Sequence, residues 1–315
     1  MGDKSSIEWT NATWTPIRAR RIATGKIGWH CVHHSPGCKF CYAESLNKRL
    51  GTGLPFKPGH EAEIEIFLDE KMLLAPLKWQ RPRMIFVCSM TDLFADFVPD
   101  AMIDKVMAVA ALTPHHTYQF LTKRSKRMRE YLTTAAVENV YSVACRMDET
   151  LAVRWQWPLP NVWAGVSAED QARYDERKKD LRATPAAVHF FSFEPLLGPI
   201  NADYLGEWAI TGGESGAQAR PMHPDWARAI RDQCAAAGVA FFFKQWGEFI
   251  PCIFDDLSDG TGRRCFEDGA ESPAFDDDRK HPIATAHDRE FWRVGKSRAG
   301  RLLDGITHNA MPEVN

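Results

Sequence analysis

Three cysteines, Cys31, Cys38 and Cys41, crowd into the segment GWHCVHHSPGCKFCYAE. Thiolates are ligands for zinc and for iron–sulfur clusters, and a set of three leaves one metal position open. A catalytic site keeps such a position and a structural site closes it. The spacing is Cys-x6-Cys-x2-Cys. Cys38 and Cys41 offer two sulfurs to one centre, and Pro36-Gly37 makes the turn that brings Cys31 round to them. His30, His33 and His34 share the loop. Two chemistries are open at this point. Zinc would be closed by three thiolates and a histidine. An iron–sulfur cluster ordinarily takes four thiolates, so with three it would keep one iron free for a ligand.

The elements that must position this loop show in the apolar runs. These are Ile7–Trp14, then residues 84–92, 117–124, 161–170, 187–195, 207–216 and 238–248. They are apolar throughout, as parallel strands buried on both faces are, and most end in a polar cluster. Helical stretches alternate with them: one opened by Pro99-Asp100, the charged QARYDERKKDLRA, and one from Asp225 that stops at Gly238. Between 195 and 207 only a turn or brief helix is expected. Repeated βα units predict an α/β fold, a partial or full (β/α) TIM-like barrel with its chemistry at the C-terminal strand ends. A doubly wound sheet is the structural rival, weakened because no Gly-x-Gly-x-x-Gly follows a first strand. The cysteine loop is expected to leave the first strand directly. Residues 1–246 form the expected core, with the cluster loop at 29–42. Residues 247–315 are expected to be an irregular insertion, acidic and rich in Asp, Gly and Pro, and a tail that packs back on the core.

Composition excludes little but is consistent. The 315 residues carry 39 basic and 41 acidic side chains, so no global field points to nucleic acid or membrane. No apolar run reaches membrane-spanning length. The polar start, MGDKSSIEWTNATW, lacks a secretory signal, and a cytoplasmic location is expected. In that compartment a tight cysteine cluster points to metal or catalysis rather than disulfides.

The segments SPGCKFCYAE, CSMTDLFAD, FLTKR, GVSAED, SFEPLLGPI, ITGGESG, FFFKQWGE and AGRLLDG resemble, as a set, the phage Gp37/Gp68-like three-Cys-motif group, a divergent part of the radical S-adenosylmethionine superfamily. Phe40 holds the aromatic position before the last cysteine. The first gap of six is longer than the superfamily's usual three. The resemblance runs from about residue 7 to 305.

That resemblance implies a [4Fe-4S] cluster on Cys31, Cys38 and Cys41 and S-adenosylmethionine on its open iron, reduced by an external electron donor. It implies Ser89 and Asp92 as acceptors for the ligand's amino group, with a turn cap as the structural rival for Asp92. Ser167 and Glu169 would meet the carboxylate or ribose, with a helix cap Ser-x-Glu-Asp as rival. Gly212 and Gly213 would permit close backbone approach, as to adenine, with Glu214 lining the substrate space. Glu194 and Lys123 would act in the pocket, and Lys244, Gln245 and Trp246 would close it. Lys126, Arg127 and Arg129 read as a solvated helix face. The substrate expected is a nucleic acid or nucleotide, tracked by basic clusters at 18–26, 123–129 and 289–301. Two other readings stand: a zinc-stabilised nucleic-acid-binding protein without catalysis, and a barrel hydrolase or transferase with Glu194, Glu214 and Asp92 as acid/base groups and structural cysteines.

Overall fold

The structure, a computed structural model, describes residues 5–134, 136–150, 155–251, 283–286 and 289–313. In chain order come β1 (Ala12–Trp14), β2 (Ile17–Arg21), β3 (Ile27–Gly28), α1 (Tyr42–Leu50), β4 (Ile64–Leu68), α2 (Glu70–Leu73), β5 (Met84–Val87) and α3 (Asp100–Leu112). Then follow β6 (Thr117–Thr122), α4 (Ser125–Thr133), α5 (Ala136–Met147), β7 (Val162–Ser167), α6 (Gln171–Arg182), β8 (Val188–Phe193), β9 (Trp208–Gly212), α7 (Pro224–Ala237) and β10 (Ala240–Gln245). Last are β11 (Phe249–Pro251), β12 (Ile283–Ala286), β13 (Arg289–Arg293), α8 (Lys296–Ala299), β14 (Leu302–Leu303) and β15 (Ile306–Thr307).

The fold is mixed α/β. Seven strands share one sheet in the order β1-β5-β6-β7-β8-β9-β10, the strand order of a partial barrel. The chain divides into two compact units. One holds residues up to Ser167 with Asp175–Phe191, and the other holds Ala168–Tyr174 with Ser192–Glu313. Among the described residues no helix is long and apolar enough to cross a membrane.

In the first unit β1 pairs with β5, β5 with β6 and β6 with β7, all parallel. Every residue of β7 is buried, as an apolar strand covered on both faces requires. On β6 the alternation is informative. Tyr118 turns to the helix side, where its hydroxyl lies 2.6 Å from that of Thr113, the residue that follows α3. Lys123 lies just past the strand end, on the opposite parity.

A second sheet, β3-β2-β4, is antiparallel and was not expected. Its strand IRARR alternates from Ile17 to Arg20, with Ile17 and Ala19 buried and the arginines half-buried. The basic cluster is thereby paired across strands: Arg20 bonds Glu65 at 2.6 Å, and Arg21 lies 3.6 Å from Glu63. This sheet also corrects the entry to the cysteine loop, which follows the β2–β3 hairpin rather than β1.

In the second unit β9 and β10 are parallel, with a bulge between Phe243 and Gln245. α7 begins beside Asp225 and ends at Gly238 in the left-handed region (φ 67°), as its sequence signals require. Only turns separate β8 from β9. After residue 246 the expected irregular extension is in part strand. β11, β13 and β12 form an antiparallel sheet, and Phe249 and Phe291 pack with Ala219. The intervening acidic stretch, 252–282, lies outside the described residues. The tail adds to the edge of β10: the Phe243 amide donates to the His308 carbonyl, and the Ala310 amide donates to the Phe241 carbonyl.

Candidate functional site

The cysteine loop is built from local signals. Ser35-Pro36-Gly37 starts a single 3-10 turn that ends at Cys38, and Cys41 is the residue before α1. Its entry is pinned by Asn47, a fully buried residue of α1. The Asn47 Oδ1 accepts from the Trp29 amide at 3.0 Å and the Thr52 amide at 3.1 Å. Its Nδ2 donates to the Thr52 hydroxyl and the Leu54 carbonyl. Gly28 and Gly51 leave room for this amide, since a Cβ on either would stand within 2.6 Å of Asn47 Oδ1.

Three bonds stitch the loop to the C-terminal ends of β5 and β6. The Thr91 hydroxyl donates to the His30 carbonyl at 2.5 Å. The Tyr42 hydroxyl donates to the Ser89 carbonyl at 2.6 Å, and Arg124 donates to the Val32 carbonyl at 2.9 Å. Cys88, with φ 56°, makes the left-handed turn that presents Ser89.

Each sulfur has its own electropositive neighbour. Burial pushes the Cys31 thiol up to about 12, Asp92 adds to this, and the Arg124 guanidinium opposes it. The Cys38 sulfur accepts from the His34 amide at 3.5 Å. Burial also raises Cys41, against the amides of Glu44 and Ala43 at the start of α1 and the Lys123 ammonium. The three thiols lie within electrostatic reach of one another. Among the described residues no three His, Cys, Asp or Glu side chains are drawn together closely enough to hold a metal as they stand. The donor set nonetheless fits a thiolate-bound group, because N–H donors and cations beside the sulfurs oppose the burial that raises Cys31 and Cys41.

The loop histidines are largely committed. His30 is buried between Phe97 and Phe56, and burial, opposed by Glu61, lowers it to about 4. His33 Nε2 lies 2.5 Å from Glu44, which also pairs with Lys48. His34 is exposed, and partial burial with Arg124 and Arg177 nearby lowers it.

Asp92 is saturated. Its Oδ1 accepts from the Phe94 amide at 3.0 Å and the Thr122 hydroxyl at 2.7 Å. Its Oδ2 accepts from the Lys123 amide at 3.1 Å and Arg124 at 2.9 Å. It therefore caps its own turn and locks Arg124 toward the loop, which leaves no oxygen for a ligand's ammonium. Ser89 is half-buried beside Tyr42. Ser167 is buried, and its carbonyl accepts from Arg177 at 2.7 Å. The expected Ser167 cap of the next helix falls instead to Asp170, whose carboxylate accepts from the Arg173 amide. Glu169 is fully buried, and its carbonyl accepts from the Leu197 amide.

At the strand ends of the second unit, Glu194 Oε2 lies 3.1 Å from the Lys244 ammonium and 3.5 Å from the Ser192 hydroxyl. Its Oε1 is buried without a hydrogen-bond partner among the described residues. A Cβ on Gly212 would stand 2.7 Å from that oxygen, so a larger residue there would push the carboxylate aside. Gly213 makes its close approach to protein backbone, since a Cβ there would meet the Trp246 carbonyl oxygen at 1.9 Å. Glu214 is closed by Arg220, which donates to both carboxylate oxygens and adds its own amide. Arg127 and Arg129 are not a solvated face. Arg127 donates to the Ala95 and Val98 carbonyls, and Arg129 pairs with Asp180 at 2.9 Å.

Sequence reasoning missed Asn47, Thr91 and Tyr42. Only Tyr42, beside Cys41, carried a visible signal. The bonds of the others span loops whose approach no local pattern encodes.

A family profile described as protein of unknown function, DUF5131, matches residues 4–312. The chain belongs to the DUF5131 family. The match spans the cysteine loop and every strand-end residue named above. No curated protein and no solved structure matches the chain.

Proposed function

We propose that this DUF5131 protein is a radical S-adenosylmethionine enzyme on a TIM-like partial (β/α) barrel, with Cys31, Cys38 and Cys41 holding a [4Fe-4S] cluster. One observation carries the reading: three thiols of one loop, each with a dedicated electropositive neighbour, stitched to the ends of parallel strands. When bound on Cys31, Cys38 and Cys41, the cluster would supply the one-electron chemistry that cleaves S-adenosylmethionine for hydrogen abstraction. An external donor replaces that electron.

The chain's own residues do the positioning. Arg124 offsets negative charge at Cys31 and ties Val32 to Asp92. Lys123 offsets charge at Cys41. Thr91 and Tyr42 hold the loop against the β5 end. Ser89, past the end of β5, and Ser167, at the end of β7, are the polar groups of the first unit proposed for the cofactor. Asp92 and Glu214 act structurally, because protein donors fill their oxygens. The substrate proposed is a nucleotide or nucleic acid, and the free thiols suit the cytoplasm.

The test is anaerobic reconstitution with iron and sulfide, then dithionite and S-adenosylmethionine. The expected results are iron and sulfide in cluster ratio and release of 5′-deoxyadenosine, both lost in Cys38→Ala. A colourless protein with one tightly held zinc, or full cleavage by Cys38→Ala, would overturn the reading.

A further inference from the structure

The segment that carries the three cysteines is basic, although the chain as a whole is nearly balanced. Residues 26–59 hold Lys26, Lys39, Lys48, Arg49 and Lys57 against a single acid, Glu44. Glu44 is buried on the inner face of α1 with Ala43 and Asn47, and there it pairs with Lys48 and His33. Lys39, Arg49 and Lys57 are exposed and form no ion pair among the described residues. The acids that follow are engaged nearby: Glu61 accepts from the Gly59 amide, and Glu63 and Glu65 lie against Arg21 and Arg20.

These cations gather around the loop. Lys39 sits within it, its ammonium 5.1 Å from the centre of the Phe40 ring. Tyr42, Ser45 and Arg49, at i, i+3 and i+7, share the exposed face of α1. Lys57 is held beside the loop by its neighbour Phe56, whose carbonyl accepts from the His33 amide at 2.9 Å and whose ring packs with Ala43. At the two ends of α1, Tyr42 and Leu50 are 55% and 60% exposed, large apolar surface for a helix of nine residues. One flank of the loop is bonded to the β5 and β6 ends through Thr91, Tyr42 and Arg124, whereas His34, Pro36 and Lys39 face solvent.

We propose that Lys39, Arg49 and Lys57, with the exposed Tyr42 and Leu50, form the docking surface of an acidic electron-transfer protein. Charge of this sign steers an acidic partner, and a small mixed patch suits the brief encounters that electron delivery requires. Three free cations are few for a phosphate backbone, whose binding grows with each phosphate neutralised. The inference names the external donor of the proposed function and rests on that reading for its purpose, but not for binding.

The test is calorimetric titration of the full-length protein, without added iron or sulfide, with oxidised flavodoxin, an acidic flavoprotein, at low and physiological salt. Parvalbumin, acidic but without a redox group, and oligo-dT are titrated in parallel. Flavodoxin should bind more tightly than parvalbumin, and its affinity should fall steeply as salt rises. Combining Lys39→Glu, Arg49→Glu and Lys57→Glu should weaken flavodoxin binding by about tenfold or more, the scale of electrostatic steering. Arg49→Glu and Lys57→Glu alone, which leave the residues beside the cysteines intact, should each give part of that loss. Circular dichroism separates loss of binding from loss of fold. In the reconstituted protein the triple variant should be reduced more slowly by flavodoxin hydroquinone, which gives up one electron and becomes the semiquinone. Reduction by photoexcited deazariboflavin, small and uncharged, should not change. The proposal is overturned by absent flavodoxin binding in the folded wild type, by equal binding of parvalbumin, or by unchanged affinity in the triple variant. Tighter capture of oligo-dT, lost in the triple variant, would assign the patch to nucleic acid and overturn it as well. Iron and sulfide loading is scored separately. A protein that binds flavodoxin but holds no cluster would refute the cluster reading alone, and a loaded protein that ignores flavodoxin would refute the docking surface alone.

Discussion

Replacing Arg124 by Gln should uncouple the cysteine loop from the β5 and β6 ends. Arg124 and Asp92 are 10% and 9% exposed at the side chain and 2.9 Å apart, so this is a buried pair. Breaking a buried pair typically costs about 3–5 kcal/mol. The low end applies here, because Asp92 keeps the Phe94, Thr122 and Lys123 donors. With a denaturant slope of about 3 kcal/mol/M, about 3 kcal/mol moves a urea midpoint by about 1 M. The second consequence is chemical. Arg124 opposes the burial and the Asp92 charge that raise the Cys31 thiol, so its loss should lower the thiolate fraction at Cys31 further. Alkylation of Cys31 by iodoacetamide at fixed pH should therefore slow, read by mass spectrometry. Iron retained after reconstitution should fall as well. Arg124→Lys keeps the charge but loses the forked reach to both Asp92 and Val32, so it should restore alkylation more than stability. If Arg124→Gln shifts the midpoint while Cys31 reactivity and iron content stay at wild-type values, the guanidinium is a structural tie alone and the charge argument fails.

Asn47→Ala should lower unfolding stability by about 2–4 kcal/mol, because it strands the half-buried Trp29 amide and the buried Thr52 amide, and hydrogen exchange at Trp29 should accelerate. A midpoint within error of wild type would refute that. Asp304 is held low by Arg228 first, against partial burial, and then by Arg231. A depressed carboxylate contributes stability above its unfolded pKa of 3.8, and the contribution is lost as pH falls through the lower folded value. The Asp304→Asn variant should therefore be less stable than wild type at pH 6, and the difference should vanish once the pH has fallen through the lowered folded value. A gap that persists there would show the loss to be steric.

The parallel strands were legible because burial on both faces leaves an unbroken apolar run. All six runs from 84 onward contain a strand of the large sheet. The β3-β2-β4 sheet was not legible, because IRARR sets arginines between its apolar residues and reads as a basic cluster until Glu63 and Glu65 appear opposite it. In the site, residue type was readable and partnership was not. Asp92, Glu214 and Glu194 look alike as carboxylates after apolar strands. Only the contacts separate them: Asp92 has four protein donors, Glu214 is closed by Arg220, and Glu194 keeps one oxygen without a donor. Those donors come from loops and side chains whose approach depends on packing, which no period of two or 3.6 records.

The same logic weighs an open metal position against a closed one. A structural zinc on three thiolates needs a fourth protein ligand, and three histidines share the loop. His30 would have to leave its place between Phe56 and Phe97, with its backbone carbonyl already tied to Thr91. His33 would have to break its 2.5 Å contact with Glu44, whose other oxygen serves Lys48. His34 is the one left, and its exposed ring sits where Arg124 and Arg177 already bear on it. His30 and His33 could close a zinc site only by giving up these contacts, whereas His34 is exposed. On the reading proposed above, the fourth position is filled from outside the protein, and the Arg124, His34 and α1 donors serve the three sulfurs.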